Sequence, residues 1–551
     1  MDQTCTVDQA RTVADDVLDV LREAGAATVF GLPGVHNLAF FSTGPRSPLV
    51  VRHEQAATYA ADGWARRTGV LGAAVVTTGP GATNALTGFG EAAAAGSPIV
   101  LVASEIPQRL RREGRLRGVL HESRDQAALF APLAKAVFTP RTPDEAARDV
   151  RAATTLALTA PRGPVYLDVP ADVLPMPAGA PMPSGAPVPS GAPVPSGAPV
   201  LAGSDALVAD ADLDRVADLL RDRSVVVWAG SGALDAAPEV EALATRLGAL
   251  LVPSFHAHGL PGAVGVPPHE PELAELIGAA DVLLAVGGDL DGMNTRNWTM
   301  PRPPRLVTVD AAAPIDPPEW TPDAALTGPV PALLDRLRDR VPPRATWTPP
   351  DLVARVRARL RDDPASADAF ALVECVESVA ARGAALVCDM AVAGYWVGGY
   401  ARVGGPRGLA YPVGWGTLGF GLPAAIGVAA TGVPTVAVVG DGGLAMGLGE
   451  LATVVGERLP VTVLVVDDAG YGMLRYDQDR AGHPHAGVDL HTPDLVALAG
   501  AFGMAGTDVA TIGPDLAAAL IDAVASGAPH LIRVGARLLP PRTTSPRWNE
   551  G

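Results

Sequence analysis

The stretch VTVLVVDDAGYG, Val461 to Gly472, constrains the fold of this chain more than any other. Five of its first six residues are apolar and most are β-branched, so it reads as a strand buried on both faces. That is the pattern of a parallel sheet covered by helices. It then ends in two carboxylates, Asp467 and Asp468, followed by glycines. TVAVVGDGG (435–443) has the same shape, with Gly440, Asp441 and Gly442 at its end. Similar runs recur upstream: TVFGLPG (28–34), AAVVTTGPG (73–81), SPIVLVAS (97–104), SVVVWAGSGA (224–233), ALLVPSF (249–255), DVLLAVGGD (281–289), RLVTVDA (305–311) and AALVCDMA (384–391), with APHLIRVGA (528–536) last. Between them lie segments with helical apolar spacing, such as HEQAATYAADGWARRTG (53–69) and DLVARVRARLRDD (351–363). Strands alternating with helices predict βαβ units and parallel sheets.

At 551 residues the chain exceeds one core, and about three or four domains are expected. PADVLPMPAGAPMPSGAPVPSGAPVPSGAPVLAGS (170–204) is a near-repeat that buries little and favours extended polyproline conformations. The expected division is 1–170 as the first domain, 171–205 as a Pro/Gly/Ala-rich linker, 206–345 as a Rossmann-like middle domain and 346–551 as the third. The fold class is α/β, with three consecutive doubly wound parallel-sheet domains.

A net charge of −17 argues against nucleic acid, which demands clustered Lys and Arg. The arginine-rich RLRREGRLRG (109–118) carries a Glu and reads as a solvated edge. Cys5, Cys375 and Cys388 have no zinc spacing, and their odd number suits reduced thiols. The N-terminus lacks the basic flank and apolar core of a signal peptide, and no apolar run approaches the roughly 20 residues of a membrane helix. The expectation is a cytoplasmic protein without membrane contact.

In open α/β sheets ligands bind beyond the carboxyl ends of strands. A strand, helix and strand connect Asp441 to Asp468, bringing both carboxylates to one sheet edge. Mg²⁺ takes octahedral oxygen ligands, typically one or two carboxylates plus phosphate oxygens of a bound ligand. Gly442 and Gly443 permit close approach of backbone to phosphate, and the helix that follows directs its first N–H groups there.

GDGGLAMGLGELATVVGERLPVTVLVVDDAGYG resembles the thiamine-diphosphate motif. With VFGLPG, RHEQAATYAADGWAR, TTGPGATN, SPIVLVAS and YPVGWGTLGFGLPAAIG in order, the whole chain resembles the acetolactate synthase, pyruvate oxidase and benzoylformate decarboxylase superfamily. The resemblance implies the thiamine-diphosphate-binding fold in the first and third domains, with thiamine diphosphate and Mg²⁺ as cofactors. By it, Asp441, Asp468 and the Gly470 carbonyl hold Mg²⁺, and Gly440, Gly442, Gly443, Leu444, Tyr471, Gly472 and Met473 line the diphosphate. Gly416 accepts from the cofactor's 4′-amino group and Leu418, where the family usually has Met, wedges the cofactor into its bent shape. By the same resemblance Glu54 matches the catalytic glutamate that hydrogen-bonds the pyrimidine N1′, while Thr78 and Asn84 join the expected cofactor-binding set. Glu54 and the Asp441 site belong to different subunits in the family, which implies a homodimer as the minimum active unit and a homotetramer as a further option.

Several positions depart from the family pattern. Asp467 and Asp468 replace a paired Asn, and Val392 and Ala393 stand where acetolactate synthases carry a Gln-His pair that grips the diphosphate. LRYDQDRAGHPH lacks their Gln-Trp. His121, in GVLHESRDQ, is a candidate catalytic acid/base; His36, beside Val35, reads as a loop residue without chemistry. VGGDLDGMNTRNW (286–298) lacks the Gly-x-Arg-Phe pattern of FAD-binding relatives, so FAD is not expected. The function expected is decarboxylation of a small-molecule 2-oxo acid, with carboligation of the resulting carbon nucleophile to a second carbonyl. A simple decarboxylase releasing an aldehyde is the alternative, and a non-catalytic cofactor-binding or regulatory subunit a further one.

Overall fold

The computed structural model describes residues 11–42, 44–112, 114–178, 208–313 and 319–542. Among the described residues seventeen strands form three sheets, and every strand-to-strand pairing within them is parallel. The chain divides into two compact units: one of residues up to 198 (66–69 excepted), and a second containing the rest.

The first unit carries β1 (Val29–Gly31), β2 (Leu49–Val50), β3 (Gly72–Val76), β4 (Ile99–Glu105), β5 (Ala136–Phe138) and β6 (Val165–Pro170), in the order β2-β1-β3-β4-β6-β5. β3, β4 and β6 are buried throughout. Helix Val13–Glu23 is opened by a capping box of Thr12 and Asp15, and helix Pro143–Leu158 by one of Thr142 and Glu145 with Pro143 in its first turn. β6 was not expected. Its sequence, VYLDVP, has an acid at its centre and a proline at its end, and so merges with the tract read as linker. The chain stays with this unit beyond Pro170: Val173 and Leu174 are fully buried, and Val13 and Ala14 donate backbone bonds to Met176 and Leu174. Most of the repeat, and Cys5, lie outside the described residues.

The second unit holds two sheets. β7 (Val225–Ala229), β8 (Leu250–Pro253), β9 (Val282–Val286), β10 (Arg305–Asp310) and β11 (Ala324–Thr327) are ordered β11-β10-β9-β7-β8. β12 (Ala385–Cys388), β13 (Leu409–Ala410), β14 (Thr435–Gly440), β15 (Val461–Asp467), β16 (Ala505–Val509) and β17 (His530–Gly535) are ordered β13-β12-β14-β15-β17-β16. Three sheets therefore make two compact units. Helix Pro271–Ala279 and helices Leu352–Asp362 and Ala367–Ala380 contribute Leu273, Ile277, Val356, Leu360 and Phe370 to one continuous apolar cluster spanning both of these sheets. The glycine turn after β7 serves packing: a Cβ on Gly230 would strike the Gly287 carbonyl at the tip of β9.

Val461 to Val466 of β15 are buried, each apolar side chain contributing about 1.5–3 kcal/mol. The crossover from β14 to β15 is two short helices, Asp441–Gly447 and Glu450–Gly456, rather than one. At the break a Cβ on Gly447 would sit 3.3 Å from the Pro423 ring. Cys375 and Cys388 are buried free thiols. No helix among the described residues is long and apolar enough to cross a membrane.

Candidate functional site

Register delivers the carboxylates. Gly440 of β14 pairs with Val466 of β15, so Asp441 and Asp468 leave adjacent strand tips on one edge. There they line a cavity of about 340 Å³ together with Gly416, Leu418, Gly440, Gly442, Gly443, Gly470, Tyr471, Gly472 and Met473. Leu444 is buried behind this wall. The adjacent Asp-Asp pair divides its work. Asp467 turns from the cavity and accepts from Arg533 of β17 at 2.9 and 3.1 Å, while its other oxygen takes the Ala469 N–H. Asp468 faces inward. Burial, and then the charge of Asp441, push its carboxyl up to about 6, against Arg475 and Arg537.

Asp441 is 6% exposed. Its Oδ2 accepts from Thr492 Oγ1 at 2.9 Å, whereas Oδ1 is buried with no partner. A buried carboxylate oxygen without a donor costs free energy unless a cation or polar ligand faces it. The surrounding glycines let these loops pack closely around the carboxylates. A Cβ on Gly442 would lie 2.6 Å from the Tyr471 ring, one on Gly443 2.7 Å from Asp389 Oδ2, and one on Gly472 would strike Asp468 itself. Among the described residues no group of three or more His, Cys, Asp or Glu is placed to hold a metal. Two carboxylates with a nearby backbone carbonyl fit a magnesium ion that keeps its other sites for phosphate and water. Val392 and Ala393 line the cavity without side-chain donors.

Asp389, at the tip of β12, was missed in the sequence. It is fully buried and accepts from the N–H groups of Met390 (2.7 Å) and Gly419 (3.0 Å), so it shapes the loop that carries Gly416 and Leu418. Burial pushes its carboxyl up to about 6 and these amides hold it down. Gly416 and Gly419 have φ of 76° and 79°, in the region that favours glycine.

In the first unit Glu54 opens helix Glu54–Thr68 and is 8% exposed. Its Oε2 accepts from Asn84 Nδ2 at 3.0 Å, so Asn84 orients the glutamate. Thr78 is buried and its hydroxyl lies 2.9 Å from that of Ser104. The neighbouring Thr77 hydroxyl, buried without a partner, is the freer group. His121 has φ of 66°, an uncommon backbone for a bulky residue, and lies against the Gly79 turn. Its ring sits edge-on to His36, centroids 5.4 Å apart, and both Nδ1 atoms are buried without partners. His36 is therefore no isolated loop residue. Asn37 places it, accepting from Gly34 N–H at 2.6 Å and donating to the Leu32 carbonyl at 3.0 Å. Burial and then His121 lower its pKa.

Gln126 supports the Gly79 turn from below. Its Oε1 accepts from Gly79 N–H at 2.6 Å, and its Nε2 donates to Asp168 at 2.8 Å and to the Tyr166 hydroxyl at 3.0 Å. Burial and the nearby Glu105 push the Asp168 carboxyl up to about 8. The folded chain therefore holds a proton that the unfolded chain releases near pH 4, and this group costs stability as pH rises toward 8. Asp168→Asn keeps the acceptor for Gln126 and removes the titration. It is expected to stabilise the protein by about 1–3 kcal/mol at pH 8 and little at pH 4. Thermal midpoints of parent and variant at both pH values check this, and an equal gap at both contradicts it.

Carboxylates at adjacent tips of a parallel sheet, over a glycine-walled cavity, form the sheet-edge kind of ligand site that α/β proteins use. The chain belongs to the thiamine pyrophosphate enzymes. Residues 11–129 match the N-terminal TPP binding domain of that family and residues 389–534 its C-terminal TPP binding domain. A probable 2-ketoarginine decarboxylase of Pseudomonas aeruginosa is 32% identical, over 90% of this chain and 89% of its own. A probable acetolactate synthase large subunit of Methanocaldococcus jannaschii is 28% identical over 95% of this chain and 91% of its own. The acetolactate synthase isozyme 3 large subunit of Escherichia coli is 28% identical over 90% and 89%.

Proposed function

We propose that the enzyme uses thiamine diphosphate and Mg²⁺ to decarboxylate a 2-oxo acid and joins the remaining carbon nucleophile to a second carbonyl. When bound, the cofactor would supply an electron sink for the pair left on carbon as CO₂ departs, and make that pair available to an electrophile. Asp441, Asp468 and the Gly470 carbonyl would hold the metal, with Gly440, Gly442, Gly443, Leu444, Tyr471, Gly472 and Met473 around the diphosphate. Gly416 and Leu418 would orient the ring. Glu54, kept in place by Asn84, would exchange a proton with the pyrimidine, and Thr78 would stiffen the neighbouring turn. The observation that carries the reading is the orphaned Asp441 Oδ1 in a glycine-walled cavity. Carboligation is favoured by the apolar part of the wall, where Met390, Val392, Leu418, Leu474 and Leu538 offer no acid to quench a carbanion.

A second reading is an aldehyde-releasing decarboxylase. The His36–His121 pair favours it, because an imidazole can pass a proton to a carbon nucleophile. The Pseudomonas relative, by its printed name, is also a decarboxylase. Exposed Val35, Leu38 and Leu120, and likewise Trp415, Met446 and Leu474, support a homodimer or larger assembly. Incubation with pyruvate, 2-ketoarginine and other 2-oxo acids, with and without an aldehyde acceptor, separates the readings. Hydroxyketone products are expected; free aldehyde as the sole product contradicts carboligation.

A further inference from the structure

We propose that Arg475 is a built-in counter-ion that makes an aspartate workable at position 468, where the family motif has a neutral asparagine. This rests on the proposed magnesium and diphosphate site. Arg475 lies on helix Gly472–Arg480 and is 6% exposed. Its Nη1 reaches Asp468 twice, the side-chain Oδ2 at 3.4 Å and the carbonyl at 3.3 Å. Nη2 donates to the Ala469 carbonyl at 3.0 Å and to Asp489 Oδ1 at 2.7 Å, and Nε donates to the same Asp489 oxygen at 3.0 Å. These contacts occupy all five guanidinium N–H groups, so its orientation is fixed.

The backbone is shaped to admit the guanidinium. Ala469 has φ of 56°, and a Cβ on Gly470 would collide with Arg475 Nη2 and the Val488 carbonyl. The segment after the helix closes over the same turn. Leu490 N–H donates to the Ala469 carbonyl and Tyr471 N–H to the Val488 carbonyl. Thr492 then reaches Asp441.

The charge argument is direct. Two aspartates neutralise a divalent cation, whereas an aspartate with an asparagine leaves one positive charge facing the diphosphate. The extra carboxylate therefore weakens attraction for a polyanion, and a buried cation within 3.4 Å restores it. Asp467 has Arg533, whereas Arg475 is shared between the partly buried Asp468 at 3.4 Å and the exposed Asp489 at 2.7 Å, whose charge water screens.

The test is a double-mutant cycle read by calorimetric binding of thiamine diphosphate at saturating Mg²⁺, with thermal unfolding of each apoprotein as control. Arg475→Gln is expected to weaken cofactor binding about tenfold. The same change in an Asp468→Asn background is expected to cost less than about threefold. Equal losses in both backgrounds would show that Arg475 merely ties down carbonyls, and no loss in either would also overturn the proposal. If Arg475→Gln does not fold, Asp468→Asn alone decides: it should strengthen cofactor binding, and weaker binding overturns the proposal. Failure of the parent protein to bind the cofactor with Mg²⁺ would instead remove the site assignment itself.

Discussion

Asp441→Asn is expected to reduce magnesium-dependent uptake of thiamine diphosphate by more than the roughly 10–100-fold that changes outside the inner coordination sphere cost. The reason is local. Asp441 Oδ1 is buried with no donor, and its other oxygen is already engaged by Thr492. A cation facing Oδ1 compensates that desolvation. An amide at this position offers the metal a neutral oxygen in place of a charged one. The same substitution should leave the apoprotein as stable as the parent or more so, because a buried carboxylate is removed. Titration of both proteins with cofactor at fixed Mg²⁺, with thermal midpoints alongside, tests both halves. Unchanged uptake would show that the metal sits elsewhere.

Glu54→Gln should slow turnover by about 10²–10⁴-fold while cofactor affinity changes little. The glutamine keeps an oxygen for the Asn84 amide, so the side chain stays oriented. What it loses is the exchangeable carboxyl proton. Exchange of the cofactor's thiazolium proton with solvent deuterium, followed by magnetic resonance, reads this step apart from product formation. Exchange at the parent rate would leave Glu54 a helix-opening residue and no more.

The parallel-sheet architecture is legible in the sequence because β-branched runs buried on two faces leave little else to form. Strands without that signature are not. Leu49–Val50 and Leu409–Ala410 are two-residue edges, and Ala505–Val509 is half exposed. Val165–Pro170 is central and fully buried, yet Asp168 interrupts its apolar run. That aspartate is tolerated because it is held protonated and bonded to Gln126, a partner 42 residues earlier.

The site divides the same way. Asp441 and Asp468 are readable because strand tips at a shared edge follow from one crossover. Asp389 is not, since its meaning lies in an amide 30 residues on, although an acid directly after the buried ALVC run is a signal of the same type. His36 beside His121, and Thr492 reaching Asp441 across 51 positions, depend on loop paths that no periodicity encodes. The Asp-Asp pair reads as a doubling of charge in the sequence; the fold sets its members beside different arginines and turns only one toward the cavity.

The central claim is that two neighbouring aspartates anchor a pyrophosphate through a divalent ion. Calorimetry of thiamine diphosphate into the purified parent protein tests it most directly, run with Mg²⁺ and again with chelator. Saturable heat that vanishes with chelator is the expected result. No heat, or binding indifferent to Mg²⁺, contradicts the account.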